Sequence, residues 1–268
     1  MAKVLGFIGC GNMGRAMIGG IINAKIFAPE NIVVADLFQP SLKMVSDEYG
    51  VKTTTDNNDV AKDADVLVLS VKPNLYAKVI DGIKDIVKEG VIIVTIAAGR
   101  DMESTGKSFG KNIRIVRVMP NTPALVGEGM AAVCGNESVK EEDLQQVINI
   151  LESFGKAEVV SEKLMDVVTA VSGSAPAYVY MFIEAMADAA VLDGMPRDKA
   201  YKFAAQTVLG SAKMVLETGM HPGALKDMVC SPGGTTIEAV AVLEEKGLRT
   251  AVISAMREVT KKSIALSK

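Results

Sequence analysis

Three glycines in Phe7-Ile8-Gly9-Cys10-Gly11-Asn12-Met13-Gly14 follow the strand-like run Lys3 to Ile8 and precede Ala16, Met17, Ile18, Ile21 and Ile22 at helical spacing. A strand, a glycine turn and a helix in that order can cradle a pyrophosphate. Gly9 permits the tight turn, Gly11 lets the backbone approach the phosphates with no Cβ in the way, and Gly14 allows close packing behind them. The helix N-terminus then presents unpaired N–H groups and a partial positive charge. Asp36 closes the second strand-like run, where a carboxylate can accept hydrogen bonds from a ribose 2′-hydroxyl. A 2′-phosphate there would meet like charge, and Leu37-Phe38-Gln39 supplies no Arg or Lys to offset it, so the spacing predicts a dinucleotide site preferring NADH.

A second candidate lies far downstream. Ser231-Pro232-Gly233-Gly234-Thr235-Thr236 precedes a helix with Ile237, Val240 and Leu243 on one face. Two glycines before a helix start leave N–H groups open to an anion, and the threonines add hydroxyls, which suits a small carboxylate. The alternative is a plain threonine N-cap after a glycine turn. Three further strand-like runs end in Ser70-Val71-Lys72-Pro73, in Ala97-Ala98-Gly99 and in Pro120-Asn121-Thr122-Pro123. At the carboxyl edge of an open α/β sheet such ends leave room for a flat ring, although turn chemistry alone also explains the prolines and Gly99. His221, before Pro222 in a turn, is a candidate residue at the site's edge.

Holding these groups in place takes two kinds of scaffold. Up to about residue 160, β-branched runs (Lys3 to Ile8, Ile32 to Ala35, Val66 to Leu69, Val91 to Ile96, Ile113 to Met119) alternate with amphipathic stretches, which predicts a parallel sheet covered on both faces. Beyond Val160 only helical patterns remain, over 164–171, 175–192, 197–216, 222–229, 236–244 and 248–265. The expected architecture is α/β: a dinucleotide-binding domain over 1–160 and an all-helical domain over 161–268. The helix 175–192 exposes only Glu184 and Asp188 as charges, more apolar surface than a small helical domain can cover, so a partner subunit is expected on it. Covering by a central position in one compact bundle is the alternative.

Composition narrows the partners. The 268 residues carry a net charge of -3, with scattered Lys and Arg, which argues against nucleic acid. Cys10, Cys134 and Cys230 form no C-x-x-C pair and the single His is remote from them in sequence, so neither a disulfide framework nor a metal site is expected, and a reducing cytoplasm is. Met1-Ala2-Lys3 leads straight into the first strand-like run, so no export signal is expected. The apolar stretch 167–183 is broken by Ser172-Gly173-Ser174 and Pro176 and is expected to be buried core rather than a membrane helix. Glu141-Glu142-Asp143 is expected to be the acidic first turn of a solvated helix.

Taken together, the glycine loop, Val71-Lys72-Pro73, Met119-Pro120-Asn121-Thr122-Pro123, Ser172-Gly173-Ser174-Ala175-Pro176-Ala177-Tyr178 and His221-Pro222 through Thr236 resemble the delta-1-pyrroline-5-carboxylate reductase family over essentially the whole chain. The Ser-Pro-Gly-Gly-x-Thr core is the most specific of these motifs. The resemblance implies a Rossmann-type domain followed by a helical dimerisation domain, and reduction of 1-pyrroline-5-carboxylate to L-proline with NADH or NADPH. It implies that Ile8, Gly9, Cys10, Gly11, Asn12 and Met13, the turn Ser70, Val71, Lys72 and Pro73, and the strand end Ile96, Ala97 and Ala98 line the nucleotide, with Asn57 near the adenosine ribose. Gly234, Thr235 and Thr236 would hold the substrate carboxylate through their amides, with the Thr236 hydroxyl facing the ring nitrogen as the catalytic contact. It also implies intertwined homodimers, often decamers, in which one helical domain completes its partner's site. Asp36-Leu37-Phe38 departs from the Asn-Arg-Ser or Ser-rich sequence common in NADPH-using members.

A β-hydroxyacid dehydrogenase shares this architecture but needs a cation, typically a Lys on the first long helix, to move the alcohol proton. This chain has no Lys between Lys163 and Lys199. A nucleotide-sensing module without turnover would have no use for the complete Gly-Thr element.

Overall fold

The computed structural model describes residues 3–266, so the Met1-Ala2 opening lies outside the described residues. Strands β1 (Leu5–Ile8), β2 (Ile32–Ala35), β3 (Lys52–Thr54), β4 (Val66–Leu69), β5 (Ile92–Thr95), β6 (Arg114–Met119), β7 (Gly129–Gly135) and β8 (Gly155–Val159) form one sheet in the order β3-β2-β1-β4-β5-β6-β7-β8. β1 pairs in parallel with β2 on one side and β4 on the other, Ile8 lying beside Ala35 and Leu69. Chain direction across the sheet reverses its order at that point, which is where an open α/β sheet leaves its ligand crevice. β1, β4 and β5 are buried along their whole length because helices pack on both faces. Phe7, Met17, Ile18, Val116 and Phe154 belong to the core on one face, and Leu67, Tyr76, Ile80, Ile93 and Ile115 to that on the other.

The sheet is mixed rather than parallel throughout, which corrects the expectation from sequence. β7 runs antiparallel to β6 and parallel to β8. The connection from Pro120 to Glu128 is too short for a parallel crossover, which takes about a dozen residues or more, so the chain must turn back beside β6. β3, β7 and β8 escape the sequence pattern because Lys52-Thr-Thr is a polar edge and the other two are rich in Ala, Gly and charge. Their pairing comes from the neighbouring strand rather than from local preference.

Two compact units divide the chain: the described residues up to Ser174 together with those from Val259 onward, and Ala175–Glu258. The second unit is all helix, with Ala175–Leu192, Arg197–Thr218, Pro222–Val229 and Thr235–Glu245 followed by the first part of Leu248–Leu266. Gly219, at φ 63, ends the second of these in the left-handed conformation that suits glycine. Its hydrophobic core is small: Ala187, Ala200 and Ala204 are fully buried, ringed by Ile183, Met186 and Val191. The stretch 167–183, expected to be buried core, is therefore largely on the surface of the single chain, with Val167, Val171, Tyr180, Met181 and Phe182 exposed. By length and composition alone Glu162–Leu192 would suffice to cross a membrane.

Buried charge marks the first unit. Asp143, expected in a solvated turn, is buried, pairs with Arg114 at 2.7 Å and accepts from the Lys140 amide. Its helix uses this third residue as the return arm of a capping box, turning it inward. Arg117 is 4% exposed, and its guanidinium donates to Glu162 Oε1 at 3.1 Å, which also accepts from the Met102 amide at 2.8 Å. Thr95, Arg117 and Cys134 form one row across β5, β6 and β7. Removing Glu162 strands a buried cation, whereas removing Arg117 leaves a carboxylate that water can reach. Glu162→Ala is expected to cost about 3 kcal/mol in urea unfolding, and Arg117→Met clearly less.

Candidate active site

The turn after β1 is built by contact with the end of β4. Gly9 sits at φ 103, and a Cβ there would lie 2.6 Å from the Ser70 carbonyl oxygen, so only glycine fits on both counts. Ser70 Oγ donates to the Gly9 carbonyl at 2.6 Å, while the Ser70 amide donates to the Ile8 carbonyl at 2.8 Å. Gly14 is buried one turn into the helix Asn12–Asn23, where a Cβ would meet Gly9 O at 2.8 Å and Ser70 Oγ at 3.2 Å. Gly11 differs: as the helix N-cap it has no side-chain cap, and a Cβ on it would meet nothing within 4 Å. The open space before this helix start is what a pyrophosphate requires, so the loop fits a dinucleotide. Asn12 is exposed beside it, and Met13 packs back against the core.

Asp36 is a structural part of this turn. Its Oδ2 accepts from the Cys10 amide at 2.6 Å and its Oδ1 from the Phe38 amide at 2.8 Å. Each oxygen keeps a second lone pair, so the fixed carboxylate can still accept from a ribose hydroxyl. The Cys10 side chain points inward and is fully buried; burial first and the Asp36 charge second push its thiol up to about 11. Cys10 thus contributes backbone, not a nucleophile, to the loop.

Beyond β1 and β2 lies a cleft of about 370 Å³ whose wall includes Ile8, Gly9, Asp36, Phe38, Asn57 and Val71. Asp36 and Asn57 are its only polar side chains, as suits an apolar base with a ribose at its edge. Lys72 and Pro73 are exposed at the turn after β4, Ile96 and Ala98 are half-buried after β5, and Ala97 is buried. The sequence reading missed Tyr76, a fully buried residue just past the first of these turns, whose hydroxyl meets both strand ends. Nothing in its position marks it as polar-functional, since it falls on the apolar face of its helix. Asn121 turns inward, accepting from the Met130 amide and donating to the Ser172 carbonyl, and so braces its loop.

In the helical unit, Gly234 is the N-cap of Thr235–Glu245, with no side-chain cap. The plain threonine cap is therefore not what forms: Thr235 and Thr236 are the first two helical residues. Gly233 bends at φ 66, the Gly234 amide donates to Ser231 O at 3.0 Å, and a Cβ on Gly234 would lie 2.3 Å from Ser231 Oγ. The helix start keeps its orphan donors for an anion. His221 caps the helix Pro222–Val229, its Nδ1 accepting from the Gly223 amide at 3.0 Å.

Residues 162–266 match the model of pyrroline-5-carboxylate reductase dimerisation, and residues 4–99 that of NADP oxidoreductase, coenzyme F420-dependent. The chain is 53% identical to pyrroline-5-carboxylate reductase of Escherichia coli (strain K12), covering 100% of both. It superposes with a TM-score of 0.91 and 37% identity on a pyrroline-5-carboxylate reductase from Coxiella burnetii, covering 100% of each chain. The Plasmodium falciparum pyrroline carboxylate reductase crystallised with NADP bound gives 0.91 at 34% identity, over 99% of this chain and 98% of that one.

The two inner glycines separate binding from folding. Gly11→Ala is expected to leave the melting temperature within ~2 °C while raising the cofactor KM by ~10-fold or more, since its methyl occupies only ligand space. Gly14→Ala should instead lower the melting temperature, because its methyl meets a carbonyl. Steady-state kinetics alongside thermal melts of both variants check the pair.

Proposed function

The chain belongs to the pyrroline-5-carboxylate reductase family, and we propose that it seats its cofactor on the Gly9–Gly14 loop and its substrate carboxylate at the Gly234–Thr236 helix start, on the amides of Thr235 and Thr236, because the Gly234 amide is taken by Ser231 O. It is an NAD(P)H-dependent oxidoreductase that reduces 1-pyrroline-5-carboxylate to L-proline. The observation that carries the site proposal is the pair of helix starts, one after Gly11 and one after Gly234, each without a side-chain cap.

When bound, the reduced nicotinamide supplies the hydride that saturates the imine carbon. The chain's residues do the rest. Ile8, Gly9 and Gly11 through Met13 hold the pyrophosphate by backbone, with Cys10 as a spacer whose amide is kept in line by Asp36. Asp36 and Asn57 take the adenosine ribose, and the turns Ser70 to Pro73 and Ile96 to Ala98 bound the remainder. The amides of Thr235 and Thr236 fix the carboxylate, which orients a ring that is already electrophilic once its nitrogen is protonated, an effect of proximity. The Thr236 hydroxyl hydrogen-bonds that nitrogen as it becomes an amine.

Homo-oligomerisation follows from the dimerisation match and from the exposed Val179, Tyr180, Met181, Phe182 and Leu192 of Ala175–Leu192, which a second copy would cover. In this reading the partner's helical unit completes each site, dimers associate further into a decamer, and the same covering keeps the apolar helix out of membranes. The three cysteines are free thiols, in keeping with a cytoplasmic enzyme.

Asp36 directs the choice of cofactor. A 2′-phosphate would add charge beside a carboxylate held in place by two amides, and Lys43, the first cation along the chain beyond it, pairs with Asp47 at 2.8 Å. The expected outcome is a kcat/KM for NADH at least ~10-fold above that for NADPH, measured with 1-pyrroline-5-carboxylate; a higher value for NADPH overturns this preference. Thr236→Ala is expected to lower kcat/KM by ~10- to 100-fold, or ~1.4 to 3 kcal/mol, the loss of one polar contact to a charged group. Unchanged kinetics would remove Thr236 from the mechanism.

A further inference from the structure

We propose that Tyr76 is a positioning residue for the nicotinamide half of the cofactor, its one side chain setting the spacing of the two loops that leave β4 and β5. The proposal rests on the cofactor reading above and deepens it. Tyr76 is the first residue of the helix Tyr76–Ile83 and is 0% exposed. Its hydroxyl donates to the Leu69 carbonyl at 2.5 Å and accepts from the Ile96 amide at 3.3 Å. The first bond closes the turn Ser70 to Leu75 on the last residue of β4. The second holds the loop that begins at Ile96. The Arg100 guanidinium lies 5.8 Å from the centre of the Tyr76 ring, so the other end of that same loop also rests on this residue.

Backbone ladders hold β4 and β5 together only as far as Leu69 and Thr95. Past those residues the two chains separate, and the phenol bridges them where the ladder stops. The Leu69 carbonyl is buried and the Ile96 amide partly so, and without the hydroxyl both lose the partner they have beside an apolar core that includes Ile80 and Ile93. Sheet order places the consequence. Asp36 and Asn57 stand on the β2 side of the β1/β4 division, where the adenosine half would lie. A dinucleotide crossing that division reaches the β4 and β5 ends with its other half. Val71 and Leu75 of the β4 turn also line the adenosine cleft, whereas no residue of the loop that begins at Ile96 does, so the effect of Tyr76 should be larger on the nicotinamide half than on the adenosine half, which a general loss of stability would not produce.

The test compares two probes on Tyr76→Phe, which keeps the ring and removes one oxygen. NADH binding, followed by the fluorescence of NADH itself without substrate, and the NADH KM are expected to weaken by ~10-fold. The inhibition constant of AMP against NADH and the KM for 1-pyrroline-5-carboxylate are expected to stay within ~2-fold, with a cooperative thermal melt. Equal weakening of AMP and NADH, or no change in either, overturns the proposal. Should Tyr76→Phe not fold, Tyr76→Met takes its place with the same two outcomes, since a flexible thioether fills the ring's space without a hydroxyl. Wild-type turnover tests the reductase reading separately, because the binding comparison needs no substrate.

Discussion

The approach of the first glycine turn to the end of β4 governs the rest of the nucleotide-binding unit. Ser70 O lies 2.6 Å from where a Cβ on Gly9 would be, Ser70 Oγ is bonded to Gly9 O, and Gly14 backs onto that Gly9 carbonyl. These contacts exclude a side chain at Gly9 and at Gly14, while the helix start at Gly11 stays open. The neighbouring elements are arranged to hold that condition: Asp36 ties the Cys10 amide from the β2 side, and Tyr76 ties the β4 turn to the β5 loop from the other. A loop that recognises an anion by backbone alone has no side chain to adjust, and its geometry must be set by what lies behind it.

The helical unit answers a different constraint. Its fully buried set is three alanines, and large apolar side chains along Ala175–Leu192 face outward. So small a core does not stabilise helices of this length by itself, and covering by a second copy supplies the missing burial. The carboxylate element proposed at Gly233 to Thr236 suits such a setting because it asks for little: a glycine bend, a helix start and a hydroxyl. In the proposed reading, oligomerisation and substrate binding draw on one set of helices.

Several features were legible in the residues and several were not, for identifiable reasons. The five strands with continuous apolar runs announce themselves because both faces are buried, whereas β3, β7 and β8 form through pairing with a neighbour and carry no pattern of their own. Asp143 reads as solvated by type, yet a capping box and Arg114 draw it inside. Asp36 is recognisable as a strand-end acid, but its two amide partners appear only once the first and second turns are side by side. The threonines after Gly234 look like caps, and the helix starts one residue earlier because Ser231 O takes the Gly234 amide. Tyr76 has no signal, since an aromatic on an apolar helix face is ordinarily core.

Order and type of residue along the chain were enough to establish the glycine turn before its helix and the two-part architecture, because both rest on short-range spacing and apolar repeats, while the family and the chemistry came from the resemblance of its motifs. Tertiary structure alone decided the turn-back of β7, the inward Asp143 and the bridging by Tyr76. Each of those depends on a hydrogen-bond partner or a neighbouring strand that folding brings alongside, and a partner distant in sequence leaves no mark on local spacing.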